Sequence, residues 1–387
     1  MRGVLGILLV SAMTVVVGCA DDSSDAQLAR RNTKDSTTSG GTPTGTNPTG
    51  TTPATQSAAV TACSSVAAPT QLSEAKDASD IHIAGTGVFF QSGASINRVL
   101  KDGTNKKTVF TSPNLTHSWV DAKGLLIIEQ TDTGNPNATL RAFNANPNEP
   151  GDQNPNPSGA FPEFPVGTGD QGPGGATAGT NFNAPSAKVF GADDTNYYLQ
   201  ADDANGNSLI VAVNRNDPNN RANLVTTDKV ITNPQIASSA IWWVQEGNRV
   251  FKQALATGDQ PQGEAKEVFG VGSQCSLAVN ETAAFCSLGA TIEQRDLTGT
   301  GAKTFMDANA SKTPGLAYGQ PTYFDSAVFL RNASASADVK NVIRAISTGT
   351  PDEKLVTCNR GTITGIAVDK DSVMWTEDQV GVFLAKR

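Results

Sequence analysis

Residues 234–271 read PQIASSAIWWVQEGNRVFKQALATGDQPQGEAKEVFGV and hold four short apolar runs separated by turn residues. The first is PQIAS, the second the triplet Ile241-Trp242-Trp243, the third NRVFKQAL with its basic residues, the fourth AKEVFGV. Runs this short, rich in Val, Ile, Phe and Trp and bounded by Ser, Gly, Asn and Asp, favour strands over helices. A small four-stranded sheet has two faces and cannot hide both from water by itself. The unit therefore makes physical sense only if it recurs.

Apolar-aromatic triplets of the same kind begin at Val88, Leu125, Tyr197, Ile241, Ala284, Val328 and Val373, at steps of 37, 72, 44, 43, 44 and 45 residues. The flanks recur too. A strand such as DIHIAG, HSWVDA, SAKVFG, CSLAV, PTYFD or ITGIAV precedes each triplet. A third strand follows, with a basic residue in most copies (INRVLKDG, ATLRAFNANP, ATIEQRDL, NVIRAIST), and then a fourth (KKTVFTS, ANLVTTD, AKTFMDA, EKLVTC). Four strands per 40 to 45 residues is the period of a β-propeller blade, so the pattern predicts an all-β, seven-bladed propeller of four-stranded antiparallel blades over residues 60–387.

Closure follows from a count of strands. After Val373-Met374-Trp375 only GVFLAKR remains, one strand short of a blade, whereas Val60–Ala78 has no place in the first blade. The amino-terminal segment is expected to supply the outer strand of the last blade and so to remove an open sheet edge. The 72-residue step contains a Pro-, Gly- and Asn-rich insertion at about 144–183, read as a long loop enclosing an outer strand near Phe161–Val166.

Four cysteines lie in this region. Cys275 and Cys286 in CSLAVNETAAFC are symmetric about Asn280-Glu281, and a turn from Val279 to Thr282 places them opposite each other at bridging distance. Cys63 and Cys358 remain for each other, which would staple the closing segment to the sixth blade. Disulfides imply an oxidising compartment.

The amino terminus agrees with that compartment. Arg2 precedes an apolar run, Val4–Val17, too short to span a bilayer core of about 30 Å as a helix. Residues 1–18 read as a signal peptide. Val16-Val17-Gly18-Cys19 resembles the bacterial lipobox, and that resemblance implies diacylglyceryl modification of Cys19, cleavage before it and N-acylation of the new terminus. Several acyl chains at about 0.8 kcal/mol per buried methylene hold a protein firmly to a membrane surface. Ala20 after the cysteine implies, by the sorting rule of such lipoproteins, the outer membrane of the cell envelope. Residues 19–59 are Ser, Thr, Gly and Pro with few large apolar side chains, a flexible tether spanning roughly 35 Å.

The formal charge of −8, without a basic stripe, excludes nucleic acid as a partner. His82 and His117 sit on the inner strands of the first two blades, where both can face the central channel; they are read as ordinary hydrogen-bonded histidines. No nucleophile elbow, zinc-protease motif or phosphate loop appears, and no metal or cofactor is expected. Asp193, Asp194, Asp202, Asp203, Asn205 and Asn207 cluster on one hairpin, where Asp-Asn-Gly serves a tight turn.

The aromatic strand followed by a basic strand and a Gly-bearing turn resembles the blades of the Tol-system, NHL and YWTD-type propellers, although no copy reads YWTD. The whole layout resembles lipid-anchored bacterial propeller proteins. Fold alone does not choose a function. The expectation is a monomeric binding or scaffold module for a protein, peptide or glycan; the alternative is a glycan hydrolase or lyase using carboxylates at the channel mouth.

Overall fold

The strands take the order set by the repeats. In a computed structural model, which describes residues 63–132, 135–144, 176–258, 260–307, 320–324, 327–332, 341–349 and 351–387, β1 (Thr70–Ser73) precedes the first blade. That blade is β2 (Ala78–Ala84), β3 (Gly87–Ser92), β4 (Ser95–Leu100) and β5 (Lys107–Thr111). The second is β6 (Leu115–Val120), β7 (Gly124–Asp132), β8 (Asn135–Asn144) and β9 (Ala176–Asn183). The third is β10 (Lys188–Ala192), β11 (Asn196–Asp202), β12 (Ser208–Asn214) and β13 (Arg221–Thr227); the fourth is β14 (Ile231–Ala237), β15 (Ala240–Gln245), β16 (Arg249–Thr257) and β17 (Gln260–Gly270). The fifth is β18 (Ser276–Val279), β19 (Ala283–Ser287), β20 (Thr291–Asp296) and β21 (Lys303–Asp307); the sixth is β22 (Gln320–Phe324), β23 (Ala327–Asn332), β24 (Val342–Ser347) and β25 (Glu353–Thr357). β26 (Ile363–Val368), β27 (Ser372–Glu377) and β28 (Gly381–Lys386) begin the seventh.

Each blade is a four-stranded antiparallel sheet, and the seventh has the order β1-β28-β27-β26. The amino-terminal strand thus completes the last blade, with Thr70 opposite Leu384 and Gln71 opposite Phe383. The first strands of successive blades adjoin around the axis, β26 beside β2, β2 beside β6, and on through β22.

The triplets fall on the second strands, and the alternation of a strand explains why they are apolar throughout. Tyr197 and Leu199 pack with Leu126, Leu140 and Val213 against the second blade, whereas Tyr198, between them, packs with Ile241 and Trp243 against the fourth. Both faces of a blade are buried, each against a different neighbour. A fully buried side chain of this size contributes about 1.5–3 kcal/mol. Gly124 shows how closely blades approach: a Cβ there would lie 2.2 Å from Tyr197 Oη and 2.9 Å from Phe143 O.

Two local expectations are corrected. The outer strand placed near Phe161–Val166 falls outside the described residues, and the fourth strand of the second blade is β9, whose Phe182 is buried in the core. Cys275 and Cys286 are bonded with Cα atoms 5.1 Å apart, but Cys286 lies opposite Leu277, so the cysteines meet diagonally. Asn280 is the reason. Its Oδ1 accepts from Thr282 N at 2.8 Å and Ala283 N at 2.7 Å, which moves the turn one residue toward the carboxyl end.

Cys63 and Cys358 are bonded as well, Cα to Cα 5.7 Å, across 295 residues of sequence. In the chain-entropy account a bridge closing the short hairpin contributes about 3 kcal/mol and one closing the long loop about 5 kcal/mol or more. Replacing Cys63 and Cys358 by Ser is therefore expected to lower the urea midpoint more than replacing Cys275 and Cys286. Equal or reversed losses would show that the amino-terminal segment is not part of the cooperative ring.

Candidate functional site

Because strands alternate in direction, the link from first to second strand and the link from third to fourth strand emerge at the same end of every blade. Four of the first kind are closed by one device. Asp121 Oδ1 accepts from Lys123 N and Gly124 N at 2.8 and 3.0 Å; Asp193 Oδ1 from Thr195 N and Asn196 N, both at 2.7 Å; Asp369 Oδ1 from Asp371 N and Ser372 N, both at 2.9 Å; Asn280 does the same in the fifth blade. Each stands four residues before the first residue of its triplet. Links of the second kind repeat the chemistry at Asp102, Asp217 and Asp296.

Two of these aspartates are also gripped by the next blade. Arg215, just past β12, holds Asp121 with both terminal nitrogens, donates its Nε to Asp193 O at 2.6 Å and lies 4.4 Å above the Tyr197 ring. Lys101, just past β4, pairs with Asp369 of the seventh blade. The two cations occupy equivalent places, two residues beyond the partner of the first triplet residue: Val99 opposite Val88, Val213 opposite Tyr197. Sequence reasoning missed this latch. The Asp or Asn before four of the seven triplets was visible, but its cation, where it has one, comes from the next repeat, about 90 residues away in one case.

The seam between the second and third blades is where carboxylates meet cations: Asp121, Asp193 and Asp194 beside Arg215 and Lys123. Their oxygens are already engaged. Asp193 Oδ2 accepts from Tyr198 Oη at 2.6 Å, and Asp194 pairs with Lys123. Burial raises the Asp121 carboxyl, but the Arg215 hydrogen bonds and charge outweigh it and hold the group below the usual carboxylate range. The Lys123 hydrogen bond lowers Asp194. Burial pushes the Tyr197 phenol up.

The channel wall between the first two blades carries the histidines. His82 Nε2 lies 3.0 Å from Ser118 O, and its ring lies 4.7 Å from that of Trp119, the equivalent residue of the next blade. His117 does not open onto the channel as expected. It is buried, and its Nδ1 pairs with Asp80, which sits in a β-bulge at φ 45°. Gln235 does for the fourth and fifth blades what His82 does here, donating to Leu277 O at 2.9 Å and accepting from Val279 N at 2.8 Å. These side chains bridge inner strands that share no ladder.

The Asp-Asn hairpin is a turn. Asp203 accepts from Asn205 N, Asn207 N and Asn207 Nδ2, bonds that lower its carboxyl. Among the described residues no group of three or more His, Cys, Asp or Glu could hold a metal ion. Cys19 lies outside the described residues.

Comparison with known proteins speaks only to the fold. No family model matches the chain, and no curated protein is similar to it in sequence. Similar solved structures include the β-propeller domain of Cps50 (Swd1) from Myceliophteria thermophila, 8% identical over 83% of this chain and 100% of that one, with a TM-score of 0.51. The WD40 β-propeller domain of Doa1 is 11% identical over 82% and 95% of the two chains, at 0.49. BamB from Moraxella catarrhalis is 11% identical over 83% and 98%, at 0.44. The chain is a seven-bladed β-propeller.

Removing Arg215 leaves Asp121 facing a buried seam without its cation. Arg215→Ala is expected to cost about 3 kcal/mol in denaturant unfolding, the low end for a broken buried pair because Asp121 keeps some contact with water. A loss below about 0.5 kcal/mol, the size of an ordinary surface substitution, would show that the latch is not structural. Burial drives the His82 imidazole down to about 4 against the opposing pull of Asp80. The unfolded chain, with a value near 6.5, then takes up the proton first, so stability is complete above about pH 6.5 and declines as pH falls toward 4. His82→Gln is expected to flatten the thermal midpoint between pH 7 and 5; an unchanged slope would contradict the assignment.

Proposed function

We propose that this chain is a lipid-anchored binding or scaffold module of the bacterial cell envelope, held at Cys19 and presenting one end of the ring to a protein, peptide or glycan partner. The observation that carries the reading is what has become of the carboxylates. Asp80, Asp102, Asp121, Asp194, Asp203, Glu267 and Asp296 are all held below the usual range: Asp80 by His117, Asp121, Asp194 and Glu267 by Arg or Lys, and Asp102, Asp203 and Asp296 by the side chains and amides of their own turns. A glycan hydrolase needs a carboxylic acid held up near neutral pH beside a second carboxylate. Here the carboxylates rigidify the links. The result is a stiff surface at the end of the ring that bears these links.

The Val16-Val17-Gly18-Cys19 pattern supports the anchor and Ala20 the outer membrane; the two disulfides agree with an oxidising compartment. The test uses the full chain with Cys19→Ser, to separate anchoring from binding. The unsubstituted protein is expected in the membrane fraction and the variant in the soluble fraction. Both should retain the same envelope partner on cross-linking and show no cleavage of envelope glycan. Glycan cleavage abolished by Asp121→Asn would overturn the binding reading, and a variant that still sediments with membranes would overturn the anchor.

A further inference from the structure

The two disulfides differ in what they hold. Cys275 and Cys286 are 2% and 1% exposed, inside a cluster with Trp242, Val244 and Leu277. Their strands are paired beyond the bond on both sides, Ser276 opposite Ser287 and Val279 opposite Ala284, so opening it frees no backbone. The other bond lies at the outer strand of the sixth blade. Cys63 is 9% exposed, Cys358 is half-buried, and they pack with Val342 and Leu355.

The partners in this outer bond are not equally fixed. Cys358 follows directly on β25, whose Thr357 lies opposite Ile343. Just beyond it Arg360 N donates to Asn341 O at 3.3 Å, and Asn341 Nδ2 to Arg360 O at 3.2 Å. Cys63, by contrast, heads a stretch in which no side chain from Ser64 to Gln71 is buried. The first that is buried is Leu72, 0% exposed in the seam of the seventh and first blades. Ahead of Leu72 the ladder with β28 holds only Thr70 and Gln71. Cutting the bond therefore leaves Cys358 in place and removes the fixed outer end of residues 63–69. A stretch with one free end and no buried side chain does not offset the entropy of staying ordered.

We propose that Cys63–Cys358 is a redox-sensitive clasp: a dithiol opens it in the folded ring while Cys275–Cys286 stays closed, and residues 63–69 then leave the sixth blade. A thiolate of the dithiol attacks Sγ of Cys358, the more exposed partner, forming a mixed disulfide and expelling the Cys63 thiolate. The second thiol of the reductant then attacks the reductant's own sulfur in that mixed disulfide, which expels the Cys358 thiolate and closes the oxidised dithiol. Two electrons pass to the sulfurs of the protein, and the two protons of the dithiol end on Cys63 and Cys358. Ring closure is left to β1 alone, four residues with one buried side chain. The amino-terminal connection thus has a strong state and a weak one, whether or not Cys19 carries lipid.

The full chain with Cys19→Ser is treated with dithiothreitol at neutral pH without denaturant, alkylated, freed of reagents and mapped by mass spectrometry. Cys63 and Cys358 are expected to be alkylated at least about tenfold faster than Cys275 and Cys286. Elastase, which cuts after small side chains, then probes Val66, Ala67 and Ala68. Cleavage there is expected to be at least about tenfold faster in the reduced, alkylated chain than in the oxidised one. The Cys63→Ser, Cys358→Ser double variant, which carries no alkyl group, is expected to be cut as fast as the reduced chain without any treatment. Reduction of both bonds at one rate overturns the proposal, as does reduction of neither until urea unfolds the ring. Equal cleavage before and after reduction overturns it too, because the bond would then not be what holds the segment.

Discussion

The structure depends on the burial of one blade's face by the next. A sheet with Tyr197, Tyr198 and Leu199 in sequence on one strand is apolar on both sides and insoluble alone. Packing it on one neighbour covers half of that surface, and only a closed ring covers all of it for every blade. The pairing of β1 with β28 is thus what makes the other six sheets possible. The bond from Cys63 to Cys358 reinforces the same place, because it fixes the chain just ahead of β1 to the strand end after β25 in the adjacent blade. A chain pulled from its amino terminus would load that bond before it loaded the four-residue strand.

Apolar packing sets how close the blades stand but is poor at fixing how they are aligned along the axis. Polar contacts between neighbours do that. Arg215 reaches from the third blade to Asp121 of the second, Lys101 from the first to Asp369 of the seventh, and Gln235 spans from the fourth to the backbone of the fifth. Each has one geometry in which its bonds are made, so each selects a single stagger. The same aspartates cap their own turns, which couples the shape of a link to the position of the neighbouring blade.

Much of this was legible in the sequence. The triplets mark the second strands because those strands are buried on both faces, and the spare strand at one end with the missing one at the other predicted how the ring closes. Both cysteine pairs followed from position. What escaped was set by contacts between repeats or by a single side chain. Asn280 shifted the hairpin that Cys275 and Cys286 share, and His117 turned from the channel to Asp80 because a bulge at φ 45° brings that carboxylate to it. In the fourth repeat the fourth strand, read over AKEVFGV alone, begins earlier, at Gln260. Pro261 and Gly263 are admitted because this is the outermost strand, where an N–H is not required on the free edge.

That last error shows where a propeller is free to vary. Near the axis the blades crowd together, and the first strands keep to between 4 and 7 residues. Outward the blades diverge, so a fourth strand has little to collide with, and these range from 4 residues in β1 to 11 in β17. Overlong outer strands leave one blade proud of the next, and the step between them is a groove whose walls are rigid because their inner portions are locked in the ring. The fourth blade has such a step. Ala254 is exposed on it, while Trp242 on the neighbouring strand is buried and anchors the sheet to the ring.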